Sequence, residues 1–100
     1  MDEFEVIYKI LRFLNKSMDC DELDLTAISS ERFGITKKRW LAIIEMLADR
    51  KYIDGVQIYR HADGGLSVNI DNLRITLSGL EYLKNDSNMI ECAKKAKGIR

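Results

Sequence analysis

Cysteine, histidine and long apolar runs are scarce in this chain, and each scarcity removes a class of function. The two cysteines, Cys20 and Cys92, lie far apart and show neither CxxC nor CxxH spacing. A zinc site or redox pair therefore has nothing to rest on, and both are expected as reduced thiols. His61 is the only histidine and stands in a polar stretch where no carboxylate or cysteine is required to meet it. A Ser-His or Cys-His arrangement would also need a pocket, and no GxxxxGK[ST] loop offers a phosphate cradle. An enzyme is not expected, nor is a metal or cofactor. No apolar run approaches the roughly 20 residues that span a bilayer, and the opening MDEFEVIYK is acidic and amphipathic. The expected setting is the cytoplasm, with no membrane contact.

Net charge is absent too: sixteen basic residues balance sixteen acidic ones. The whole molecule has no field to draw it onto nucleic acid, so any such attraction must be local. Met1 to Thr36 holds eight acidic and four basic residues, and Lys37 to Arg100 holds twelve basic and eight acidic, so the two stretches sum to −4 and +4. Either the C-terminal two-thirds faces an anionic partner or the asymmetry is ordinary variation among solvated faces. What is present in quantity is apolar: 46% of 100 residues, enough to give one domain, residues 1–100, its own core.

Asp2 and Glu5 have capping-box spacing, and Phe4, Ile7, Leu11 and Leu14 follow at helical intervals with Ile10 beside them. This predicts a helix over 3–16. Ser17 to Leu25 carries four acids and no period, so it reads as a solvated connection. Leu25, Ala27 and Ile28 are expected as a short extended piece before Ser29 caps a brief helix through Phe33. Gly34 ends that helix, because a left-handed residue costs glycine least. Thr36 then caps a helix over about 37–51, with Trp40, Ile43, Ile44 and Leu47 on one face.

A short helix, a glycine turn and a longer amphipathic helix form a helix-turn-helix pattern, weak alone but strengthened by what comes next. Val56 and Ile58 lead to the polar tip Arg60-His61-Ala62-Asp63-Gly64-Gly65, and Leu66, Val68 and Ile70 then alternate with Ser67 and Asn69. Two strands joined by a glycine-rich tip after such a helix predict a wing. Arg74-Ile75 can pair briefly before Thr76 caps a helix with Leu77, Leu80 and Leu83 on one face. Ser87 is expected to cap a last helix, ended by Gly98 with Ile99 packing back over its final turn. The fold class is α+β, a winged helix with additional C-terminal helices.

The segment Ile75-Thr76-Leu77-Ser78-Gly79-Leu80-Glu81-Tyr82-Leu83-Lys84-Asn85, with Ser87-Asn88-Met89 and Ala93-Lys94-Lys95-Ala96-Lys97-Gly98-Ile99, resembles the YjcQ-like family of small winged-helix proteins. Ile28-Ser29 through Trp40, and Met46-Leu47, are similar to the same family's middle section. The resemblance implies the winged-helix fold and a setting in phages or mobile elements of Gram-positive bacteria. It implies no binding residues.

With Trp40 turned inward, the outward face of the 37–51 helix centres on Lys38, Ala42, Glu45 and Asp49, with Leu41 and Ala48 on a shoulder. That face sums to −1 and would meet phosphates at a Coulombic cost. The first turn is better placed: Lys37, Lys38 and Arg39 cluster there, and Arg60 and His61 at the wing tip can reach a flanking phosphate or minor groove. Against this, three cations beside the positive end of their own helix dipole can simply be solvated. Double-stranded DNA is thus one expected partner, contacted weakly or only by a dimer. The alternative is an adaptor that docks on another protein through Leu41, Ala42 and Glu45. Met89, Cys92, Ala93 and Ala96 form a narrow stripe on the last helix, with Lys94, Lys95, Lys97 and Arg100 on its other faces. The stripe either pairs two copies as a homodimer or docks on the first helix as core.

Overall fold

The computed structural model describes residues 2–98. Helix α1, Glu3–Ser17, begins on a full capping box: the Asp2 carboxylate accepts from Glu5 N at 2.8 Å, and Glu5 Oε1 accepts from Asp2 N at 3.2 Å. Two of the helix's orphan donors are thereby satisfied. Its buried residues are Val6, Tyr8, Ile10, Leu11 and Leu14, whereas Phe4 stands 41% exposed. The single-face expectation thus misplaces Phe4. α1 touches α3, α4, α5, β4 and the 3-10 turn, so it is covered on several sides and one stripe cannot describe its packing.

After the exposed connection, Leu25–Ile28 forms a 3-10 turn and not the expected extended piece. The reason is a local cap: Asp24 accepts from Thr26 N at 3.2 Å and from its hydroxyl at 2.5 Å, which folds the backbone back on itself. Ser29 caps the short α2, Ser30–Phe33, through Arg32 N, and Gly34 ends it at φ 68°. Thr36 caps α3, Lys37–Asp49, by accepting from Arg39 N at 3.1 Å. α3 stops two residues earlier than its periodicity implies, because Lys51 turns left-handed at φ 61°. Its amide reaches Ala48 O, and Tyr52 N reaches Leu47 O. This closing pattern satisfies the last carbonyls without a glycine. Leu41 is buried with Trp40, Ile43, Ile44 and Leu47, so the expected shoulder belongs to the core. Trp40 Nε1 donates to Ile28 O at 2.7 Å and ties α3 to the 3-10 turn.

Four strands follow in two antiparallel pairs. β1, Ile53–Asp54, pairs with β4, Arg74–Ile75, with Ile53 opposite Ile75, both buried. β2, Gln57–Arg60, pairs with β3, Leu66–Asn69, with Arg60 opposite Leu66. The tip closes through His61 N to Gly65 O at 2.9 Å and Gly64 N to His61 O at 3.0 Å. β3 is half-buried along its whole length, so the expected alternation of one buried and one open face does not appear.

Helix α4, Leu77–Asn85, is capped by Thr76 as expected, but Leu77 is 73% exposed while Leu80 and Leu83 pack on the core. Gly79 explains the rotation. It is buried at the contact, and a Cβ there would lie 2.2 Å from Tyr52 O and 2.8 Å from Ile75 Cγ1. Thr76 N also donates to Tyr52 O and its hydroxyl to Lys51 O, so α4 is anchored backbone to backbone against the chain leaving α3. Tyr52 and Tyr82 stack across that junction with centroids 4.5 Å apart. Helix α5, Ser87–Gly98, is capped by Asp86, which accepts from Asn88 N at 3.0 Å, and not by Ser87. The expected packing of Ile99 and the place of Arg100 lie outside the described residues.

Among the described residues, five α-helices and two small antiparallel sheets make the fold α+β, an arrangement compatible with a winged helix. No described helix is long and apolar enough to cross a membrane.

Candidate nucleic-acid interface

The basic cluster sits on the first turn of α3, where the Thr36 cap fixes the backbone and leaves Lys37, Lys38 and Arg39 all exposed. Their environments differ. Lys37 Nζ lies 5.8 Å from the Trp40 ring centroid, where the ring face attracts a cation. Arg39 Nη1 pairs with Glu3 Oε2 at 2.5 Å, joining α3 to the first turn of α1. Lys38 has no ion-pair partner among the described residues. Thr36, Lys38, Arg39 and Ala42 surround an open depression of about 390 Å³.

The hairpin packs on this helix through β3, and one ion pair joins the end of β2 to it as well. Arg60, the last residue of β2, forms an ion pair with Glu45 on the outward face of α3. The carboxylate that would oppose a phosphate is therefore neutralised from within. His61 makes no such bridge: its Nε2 shares a hydrogen bond with Ser67 Oγ at 3.0 Å, which braces the tip across the two strands. The structure thus brings Arg60 to α3 and places Lys37, Lys38 and Arg39 on that helix's first turn. His61 stays at the hairpin tip, held by β3.

Neither pairing had a signal in sequence. Glu3 and Arg39 are 36 positions apart, Glu45 and Arg60 are 15 apart, and only the packing of α1 and the hairpin against α3 makes them neighbours. Asp49, the other outward carboxylate, belongs to a separate groove of about 620 Å³ lined also by Phe4, Met46, Arg50 and Tyr82. It lies eleven residues from Lys38, roughly 16 Å along the helix axis at 1.5 Å per residue.

The stripe on α5 takes the intramolecular option of the two left open by its sequence. Met89 is 0% exposed and Cys92 is buried, both packed against Tyr8 of α1, with Ala93 half-buried beside them. Burial pushes the Cys92 thiol above its ordinary pKa, which suits a packed and uncharged side chain. Ala96 alone of the four remains exposed. Among the described residues no group of three metal-ligating side chains comes together.

The family model for YjcQ protein matches residues 8–100. The chain belongs to the YjcQ family. The match spans α2, α3, the hairpin and α4–α5, so it includes every basic residue of the candidate interface. No curated protein and no solved structure matches the chain. In this YjcQ family member the matched segment also carries the Arg60–Glu45 pair.

Proposed function

We propose that the chain is a winged-helix regulatory protein of phage or mobile-element type, acting in the cytoplasm. In this reading it contacts double-stranded DNA weakly through Lys37, Lys38, Arg39 and the end of the hairpin. The Arg60–Glu45 ion pair carries the reading, because it neutralises the outward Glu45 carboxylate of α3 and sets the end of the hairpin beside that helix. The Arg39–Glu3 pair does not count heavily against it. Both side chains are about half exposed, at 55% and 51%. Such pairs contribute about 0–1 kcal/mol, so an arriving phosphate can replace Glu3 at small cost. Contacts of this kind position a protein on a duplex without reading its sequence. A binding role, not catalysis, also fits His61, whose observed partner is a serine on the neighbouring strand.

Fluorescence anisotropy with mixed duplex DNA tests the proposal. Binding is expected at low salt and should fall steeply as salt rises, since counterion release drives it. Undetectable binding at low salt removes the DNA reading.

One observation favours a protein-docking role instead. Met46 and Phe4, 49% and 41% exposed, flank the groove that contains Asp49, and such apolar residues suit a protein partner. Leu41 cannot serve such an adaptor face because it is buried, which leaves Ala42 and Glu45 of the three residues expected there.

A further inference from the structure

All four basic residues of the first 36, namely Lys9, Arg12, Lys16 and Arg32, line one groove of about 440 Å³, and none of the eight acidic residues of that stretch does. Lys9, Arg12 and Lys16 recur at i, i+3 and i+7 on α1, a row roughly 10 Å long at 1.5 Å per residue. Arg32 on α2 stands across from them. The floor between is apolar, with Phe13, Ala27, Ile28 and Phe33. All four cations are exposed and, among the described residues, none is ion-paired. Elsewhere on the surface Arg39, Arg60 and Arg74 each hold a carboxylate. Four like charges around an apolar floor call for an occupant with several carboxylates and at least one apolar side chain.

The chain itself contains such a segment. The connection after α1 bears Asp19, Asp21, Glu22 and Asp24, all exposed, together with Met18 at 58% exposure and half-buried Leu23. It starts just beyond Lys16 and runs into the 3-10 turn that supplies the groove's Ala27 and Ile28. Within one molecule it is held by its own turns: Cys20 N bonds Ser17 O at 3.0 Å, and Asp24 is committed to Thr26. Among the described residues none of its carboxylates bridges a groove cation, although Arg32 lies near enough to Asp24 to help its Thr26 hydrogen bonds hold that carboxyl below the usual range.

We propose that this groove is a self-association surface that takes the Met18–Asp24 loop of a second copy of the chain. A groove and a loop adjacent on one molecule pair reciprocally across a two-fold axis, so each copy supplies both halves of the contact. Duplex DNA is a poorer occupant, because its phosphates would leave the apolar floor uncovered, whereas the loop brings the exposed Met18 to it. The inference concerns α1 and α2, away from the basic turn of α3, and stands whether or not DNA is bound there.

Sedimentation analysis of the full chain over a concentration series tests it. A monomer–dimer equilibrium is expected that weakens at least about tenfold between roughly 0.05 M and 0.5 M salt, as exposed charge pairs are screened. Reversing the groove with Lys9→Glu and Arg12→Glu, or the loop with Asp21→Lys and Glu22→Lys, should each weaken association at least about tenfold. An equimolar mixture of the two variants should recover it, since each reversed surface then meets its complement. Circular dichroism checks that both variants fold. If the groove pair melts early, Lys16→Glu with Arg32→Glu replaces it. A chain that stays monomeric at about 1 mM in low salt overturns the proposal. So does a dimer indifferent to both reversals, or a mixture of folded variants that fails to re-associate.

Discussion

The basic turn of α3 and the groove between α1 and α2 are both rich in cations, yet they are built in opposite ways. On α3 the cations are neighbours in sequence, and the fold then supplies partners for two of the three. Glu3 reaches Arg39, the Trp40 ring underlies Lys37, and Arg60 spends its charge on Glu45. In the groove the cations are spread over 24 positions of a stretch whose net charge is −4, and the fold gathers them without ion-pair partners among the described residues. A run of like charges in sequence is thus a poor guide to where uncompensated charge ends up, because long-range packing decides which carboxylates come within reach.

Charge reversal on each surface is the strongest way to separate them. Lys37→Glu with Lys38→Glu should lower duplex DNA affinity on the order of 100-fold at low salt and reduce the salt slope by about two. The groove pair Lys9→Glu and Arg12→Glu should change it by less than about twofold, since those residues would make no phosphate contact. Titration by anisotropy decides, and the opposite ranking would exchange the roles of the two surfaces. Trp40→Phe comes next, because the indole links the surfaces: its ring lies beneath Lys37 and its N–H bonds Ile28 on the groove floor. Losing that donor leaves a buried carbonyl unmet, a cost of about 1–3 kcal/mol measurable as a shift in urea midpoint.

Glu45→Gln should tighten DNA binding several-fold, up to about tenfold, because it releases Arg60 and removes a carboxylate at once. Its effect on stability should stay under about 1 kcal/mol, as the Arg60 side chain is mostly exposed. The smallest effect lies away from both surfaces. The Arg74 guanidinium holds the Asp54 carboxyl below the usual carboxylate range, helped by a hydrogen bond from Gly55 N. Folding therefore favours the charged form, and the pair's contribution is present above the ordinary carboxylate pKa and lost as pH falls through the lowered one. Thermal melts of wild type and Asp54→Asn should converge in acid and differ slightly near neutrality.

What could be read from sequence follows the range of the forces involved. The Asp2–Glu5 box, the Ser29 and Thr36 caps, the Gly34 stop and the hairpin tip are set by residues within a few positions of one another, and all appear where expected. Asp24 is the instructive exception, since its hold on Thr26 is equally local yet opens on a leucine, threonine and alanine that also suit a strand. Leu41, Phe4 and Leu77 were misplaced because a periodic stripe assumes one partner per helix, whereas α1 and α3 are covered on several sides and Gly79 sets the rotation of α4. At the candidate interface the basic residues were legible. Their carboxylate partners were not.

The central position of α1 has a consequence in time. Its fifteen residues are synthesised before β4, α4 and α5, on which it rests, so the surfaces that cover it, among them the Met89 and Cys92 that pack on Tyr8, are made afterwards. Until α5 emerges, an amphipathic helix with an unfilled apolar face must wait, and the domain closes only when its final helix arrives.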